Sequence, residues 1–175
     1  SSPNFEAPGD AGGNNVYDVN VTASDGSLSS TKAVAITVSN VNEAPTVTSA
    51  ATANFAENGT GTAYTIAATD VDAGTTLTYS ISGSDAALFN IDSVTGAVTF
   101  KSSPNYEAPG DAGANNVYDV NVTASDGALS STKAVAITVT NVNEAPAGIT
   151  VTGPLSVKET VVSGGTIGTA YDPGA

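Results

Sequence analysis

Residues 118–127 read YDVNVTASDG. Tyr118, Val120, Val122 and Ala124 alternate with Asp119, Asn121 and Thr123. A period of two turns alternate side chains to opposite faces, so this run predicts a strand with the four larger or apolar residues on a core. The same alternation sets Val135, Ile137 and Val139 inward in a later strand. Working upstream, Leu77, Tyr79 and Ile81 form another such face, and Tyr64, Ile66 and Ala68 one more. Phe89 with Ile91, and Val98 with Phe100, supply two short strands around a turn at Thr95-Gly96. With an N-terminal strand near Val47 and Phe55, about seven strands are predicted in one unit, the count of an Ig-like Greek-key sandwich. No tryptophan and only 6% aromatic content make a light core.

The chain repeats itself. Residues 1–45 reappear as residues 102–146, an offset of 102 − 1 = 101. Four positions differ: Phe5/Tyr106, Gly13/Ala114, Ser27/Ala128 and Ser39/Thr140. The period sets expected boundaries. Residues 46–146 form a complete repeat, residues 1–45 the C-terminal half of the one before, and residues 147–175 the N-terminal part of a third, divergent one. The fold class expected is therefore all-β, a linear array of tandem sandwiches. Copying this close favours a spacer, which gains reach from each copy, over an enzyme.

Composition narrows the chemistry. Seventeen acidic residues face four basic ones, for a formal net charge of −13. Such a surface repels phosphate backbones and anionic lipid and suits a hard cation. Cysteine and histidine are both absent, which removes disulfides, thiolate metal sites, cysteine nucleophiles and the commonest general base. No run of 18 apolar residues spans a membrane. The chain does not begin with methionine and carries no visible signal peptide, so it is read as an interior piece of a longer polypeptide.

Six motifs in order now resemble the cadherin repeat, in its bacterial cadherin-like form. They are Ala56-Glu57-Asn58, then Ala68-Thr69-Asp70-Val71-Asp72, then Phe89-Asn90-Ile91-Asp92 with Thr95-Gly96. Asn105-Tyr106-Glu107, the run from Tyr118 to Gly127, and NVNEAP at residues 141–146 complete the set. The resemblance implies calcium as the cofactor, held by acidic motifs at the junctions between successive domains. The residue types suit that ion, which takes 6–8 oxygen ligands in flexible geometry.

By that resemblance, a first junction draws Glu6, Asn40, Asn42 and Glu43 from the preceding unit and its linker, with Asp70, Asp72 and Asp126 from the central unit. A second draws Glu57, Glu107, Asn141, Asn143 and Glu144, with Asp172 from the third unit. Asp25 would serve a junction before Ser1. The sequence departs from the family pattern in three places. Asn4 and Asn105 stand where the family has Asp, the linker is shortened to Asn-Val-Asn-Glu, and Gly174 replaces the second Asp of the third unit's pair. Fewer carboxylates imply that the second junction binds less calcium than the first.

Other acidic residues have blander readings. Asp111 lies in a Gly-rich loop, where the readings are a plain loop residue, which is favoured, or the holder of a local ion. Asp85 and Asp92 read as turn or surface carboxylates, with Asp92 forming the turn beside Thr95-Gly96. The Asn-X-Thr sequons at Asn20, Asn58 and Asn121 read as products of Asn/Thr-rich strands. Glycoside hydrolysis by paired carboxylates fits poorly, because the acids sit at repeat ends and not in a cleft. The chain is thus expected to be no enzyme. It reads as a calcium-stiffened stalk of a secreted surface protein, adhesin or extracellular fibre, located at the cell surface. Its expected partners are neighbouring repeats and laterally assembled copies, with no nucleic acid and no membrane insertion. The alternative is a carbohydrate- or partner-binding module, possibly accessory to a secreted enzyme; an exposed patch of Phe5, Tyr17 or Tyr171 across a junction would favour it.

Overall fold

The computed structural model describes residues 2–145. Residue 1 and residues 146–175, with Asp172 and Tyr171, lie outside them. Among the described residues the regular elements are strands, apart from one 3₁₀ turn at Ala86–Leu88.

Two strands come first. β1 (Val16–Ser24) and β2 (Ser29–Thr37) form an antiparallel hairpin with Val16 opposite Thr37 and Ser24 opposite Ser29. After the linker come β3 (Thr46–Val47), β4 (Thr52–Ala56), β5 (Thr62–Thr65), β6 (Ala68–Thr69), β7 (Thr78–Ser82), β8 (Phe89–Ile91), β9 (Ala97–Phe100), β10 (Val117–Ser125) and β11 (Ser130–Thr140). One sheet has the order β4-β11-β10-β7, with β4 parallel to β11. Facing it are β5-β9-β8 and the short pair β3-β6. The N-terminal strand thus crosses from one sheet to the other between β3 and β4. Counting β3 with β4 and β5 with β6 as interrupted single strands, the sandwich has seven.

The alternation read from sequence closes this sandwich. Tyr118, Val120, Val122, Ala124, Val135, Ile137 and Val139 are all buried, and Ile66, Phe89 and Val98 meet them from the other sheet. The few aromatics gather at one end of the core. Phe89 and Phe100 have ring centroids 4.4 Å apart, and both meet the Tyr118 ring near edge-on, at 5.9 and 5.0 Å. Gly96 is fixed by contact as well as by its φ of +72°, since a Cβ there would lie 2.5 Å from the Ile66 carbonyl oxygen. Asp92 forms this turn as expected, accepting the Val94 and Thr95 N–H groups at 2.9 and 3.1 Å.

The two near-identical hairpins differ sharply in burial. Val122 and Ile137 are 0% exposed, whereas Val21 and Ile36, their counterparts 101 residues earlier, are 57% and 53% exposed. Sequence cannot cause that difference. It follows from the strands of residues 46–100, which pack on β10–β11 and not on β1–β2.

One reading is corrected in part. Asp85 is a turn residue, as one of its two readings has it, but not a surface carboxylate, for it is buried, 2% exposed. Its Oδ1 accepts the Ala112 N–H at 2.7 Å and its Oδ2 the Asp119 N–H at 2.7 Å. Backbone donors 27 and 34 residues away offset its desolvation, and no local pattern announces them. Asp111 is also buried, and it organises its own loop by accepting the Asn115 and Asn116 N–H groups.

Candidate metal centre

The linker after β2 enters a ring of acids. Glu6, Glu43 and Asp72 each present a carboxylate oxygen, all within 4.8 Å of one another. Asp72 is held by three hydrogen-bond links. Its Oδ1 accepts Asn40 Nδ2 at 2.7 Å, its Oδ2 accepts the Glu43 N–H at 3.0 Å, and its own N–H donates to Asp70 Oδ1 at 2.9 Å. Asn42 Nδ2 donates to Asp126 Oδ2 at 2.7 Å. The other Asp126 oxygen accepts the Ala128 and Leu129 N–H groups of its own turn. Asp25 makes the equivalent turn contacts to Ser27 and Leu28. The seven side chains named for the first junction therefore converge on one linker.

A second cluster lies beyond β4. Glu57, Glu107 and Glu144 bring carboxylate oxygens within 4.8 Å of one another. Glu57 is buried and anchored by two backbone donors, Val142 N–H to Oε1 and Tyr106 N–H to Oε2, each at 2.8 Å. Asn141 Nδ2 donates to Glu107 Oε1 at 2.9 Å, and Asn58 Nδ2 to Glu144 Oε1 at 2.7 Å. Asn143 is exposed and takes no part in these hydrogen bonds. Glu107 and Glu144 are the repeat counterparts of Glu6 and Glu43. The two clusters are thus separate sites at equivalent positions of the 101-residue repeat. The first includes Asp72 from beyond its linker, and the second includes Glu57 from before its own.

The carboxyls of both clusters are shifted in opposite directions. Burial raises the Glu43 carboxyl above its ordinary value of 4.5, with Glu6, Asp72 and Asp70 adding like charge. Burial likewise raises Glu144, with Glu57 and Glu107 adding to it. Glu57 moves the other way, because the Tyr106 and Val142 N–H groups stabilise its charge. Asp126 is also lowered, chiefly by Asn42 and then by the Leu129 and Ala128 N–H groups. Each cluster thus pairs charge-committed carboxylates with strained ones.

The oxygens fit a calcium ion. Two ligands on opposite sides of that ion lie about 4.6–5.2 Å apart, from ligand distances of about 2.3–2.6 Å. The carboxylates here fall within that span. Glu43 Oε2 and Asp70 Oδ2 are each buried without a hydrogen-bond partner, a costly state that a bound cation would relieve. The donor set is all oxygen, which excludes the thiolate and imidazole preferences of zinc and copper.

No family model and no curated protein matches the chain. Solved structures do. The chain is similar to mouse cadherin-23 domains EC22-24, with a TM-score of 0.58 at 25% identity over 81% of this chain and 45% of that one. It is similar to protocadherin gamma B7 extracellular cadherin domains 1-4, with a TM-score of 0.56 at 26% identity over 73% of this chain and 32% of that one. The fold is cadherin-like. Protocadherin gamma C5 EC1-3 aligns with a TM-score of 0.54 at 25% identity, over 71% of this chain and 43% of that one. The chain spans less than half the length of each of these cadherin structures.

On this cadherin-like frame, sequence reading missed three parts of the clusters. Asn58 was quoted within a motif but not counted as a site residue, although its amide holds Glu144. The Tyr106 and Val142 N–H groups are backbone donors and carry no side-chain signature.

Proposed function

We propose that the chain is a calcium-stiffened stretch of a structural or adhesive stalk, built of tandem cadherin-like repeats. Its units are residues 1–45, 46–146 and 147–175 as a partial, a complete and a partial repeat. It belongs outside the cell, in a large secreted bacterial surface protein or fibre. The absence of cysteine suits export without oxidative folding, and the high acidity suits a calcium-rich exterior. Its partners are the adjoining repeats of the same chain, with lateral association of copies as a further contact.

The observation that carries this reading is the placement of Glu6, Glu43 and Asp72 around one eight-residue connection between β2 and β3. Glu6 precedes the connection, Glu43 lies within it and Asp72 follows it. Without a divalent ion they repel one another, and the hydrogen bonds from Asn40, Asn42 and the Glu43 N–H to Asp72 and Asp126 hold the connection against that repulsion. With one, shared ligands tie the two sides together and offset the entropy of ordering the linker. The sandwich core needs none of this, since its apolar contacts are closed within residues 46–140.

Calcium titration by calorimetry tests the assignment. Asp72→Ala is expected to remove or weaken one binding event, while Asp119→Ala, an exposed strand carboxylate, leaves it intact. Equal affinity in both variants and the parent would remove the site.

A further inference from the structure

Asn116 immediately precedes β10 and has a left-handed backbone, φ 63°, a conformation that asparagine tolerates better than most residues. Three contacts converge on it. Asp111 Oδ1 accepts its N–H at 3.0 Å, and its carbonyl accepts the Val139 N–H at 2.8 Å. Its side-chain Nδ2 donates to the Tyr106 carbonyl at 2.9 Å. Tyr106 is therefore gripped on both sides, with its N–H on Glu57 and its carbonyl on Asn116. Val139 lies three residues before Val142, the other backbone donor to Glu57.

The same device recurs in the first copy. Asn15, φ 62°, donates through Nδ2 to the Phe5 carbonyl at 2.8 Å, accepts the Val38 N–H at 2.9 Å, and is held by Asp10 Oδ1 at 3.0 Å. There the front strands of the sandwich do not cover the hairpin, yet the loop keeps identical bonds. The arrangement is built by the loop itself. The amide oxygens of Asn15 and Asn116 are buried without a partner, so the amide N–H donors alone do the holding.

We infer that Asn116, set by Asp111, is a positioning residue for the acidic cluster. It locks the peptide between Tyr106 and Glu107, and so fixes where the Glu107 carboxylate stands relative to Glu57 and Glu144. It touches no ion. This inference rests on the calcium reading for its affinity effect, but its effect on the Tyr106 backbone does not.

Asn116→Gly is the test. Glycine keeps the left-handed backbone without strain and deletes only the amide. Calcium affinity at the Glu57 cluster is expected to fall about tenfold or more, the usual effect of losing an outer-shell partner. In chelator, the thermal midpoint stays close to the parent's, while hydrogen exchange of the Tyr106 amide speeds up severalfold. Unchanged affinity in a calcium-binding parent, or unchanged Tyr106 exchange, would overturn the inference. A parent that binds no calcium would remove the calcium reading, and the exchange rates would still decide whether Asn116 positions the loop.

Discussion

Ile137→Ala and Ile36→Ala delete the same atoms from the same local sequence in two surroundings. Ile137 is 0% exposed, on β11 between the two sheets, whereas Ile36 on β2 is 53% exposed. A buried isoleucine truncated to alanine costs about 2–5 kcal/mol, from lost transfer energy plus the cavity that remains. At an exposed position the cost is within about 0.5 kcal/mol. For a domain of roughly 100 residues, each 1 kcal/mol moves Tm by about 4–8 °C. The main transition should therefore drop by roughly 8 °C or more in Ile137→Ala and by only a few degrees in Ile36→Ala. Differential scanning calorimetry in chelator reads both without interference from bound ions. Equal losses would refute the reasoning, since they would mean that β1–β2 shares the core that burial assigns to β10–β11.

Further expectations concern pH and backbone strain. The raised carboxyls of Glu43 and Glu144 make the folded state bind more protons just above pH 4.5, so without cation stability falls as pH rises through that window. Calcium needs both ionised, so its affinity should start to weaken while the pH is still above 4.5; a titration flat down to that pH would contradict this. Glu57 and Asp126 are lowered, so their contribution is present above their ordinary values of 4.5 and 3.8 and is lost only as pH falls through the lower folded values. Ala114 sits at φ 49° where the first copy has Gly13 at φ 61°. Ala114→Gly should stabilise by about 0.5–1 kcal/mol, the left-handed strain relieved less the extra chain entropy of glycine; a measured loss of stability in urea unfolding would refute it.

Much of the fold was legible because the strands alternate cleanly. Tyr118 to Ala124 and Val135 to Val139 announce their inward faces, and the Thr95-Gly96 turn has the residues its geometry demands. The convergence of Asp70, Asp72 and Asp126 on the linker was legible only through motif order, since those residues are far apart in the chain. Asp85 was legible as a turn residue but not as a buried one, because its partners, the Ala112 and Asp119 N–H groups, are backbone atoms brought close by the closed sandwich. The split of the N-terminal strand into β3 and β4 was not visible either. It depends on which sheet each half can pair with, a tertiary fact. Asn116 escaped notice because its value lies in a φ angle and a carbonyl contact, neither of which residue type reveals.

The central claim is that a cation makes the junction around residues 40–45 hold one geometry. Small-angle X-ray scattering of the chain in calcium and in chelator tests it most directly. The account predicts a longer maximum dimension with calcium, a more compact and heterogeneous average in chelator, and chelator-like scattering from Asp72→Ala in calcium. Superimposable profiles in both conditions, from a chain that binds calcium by calorimetry, would contradict it.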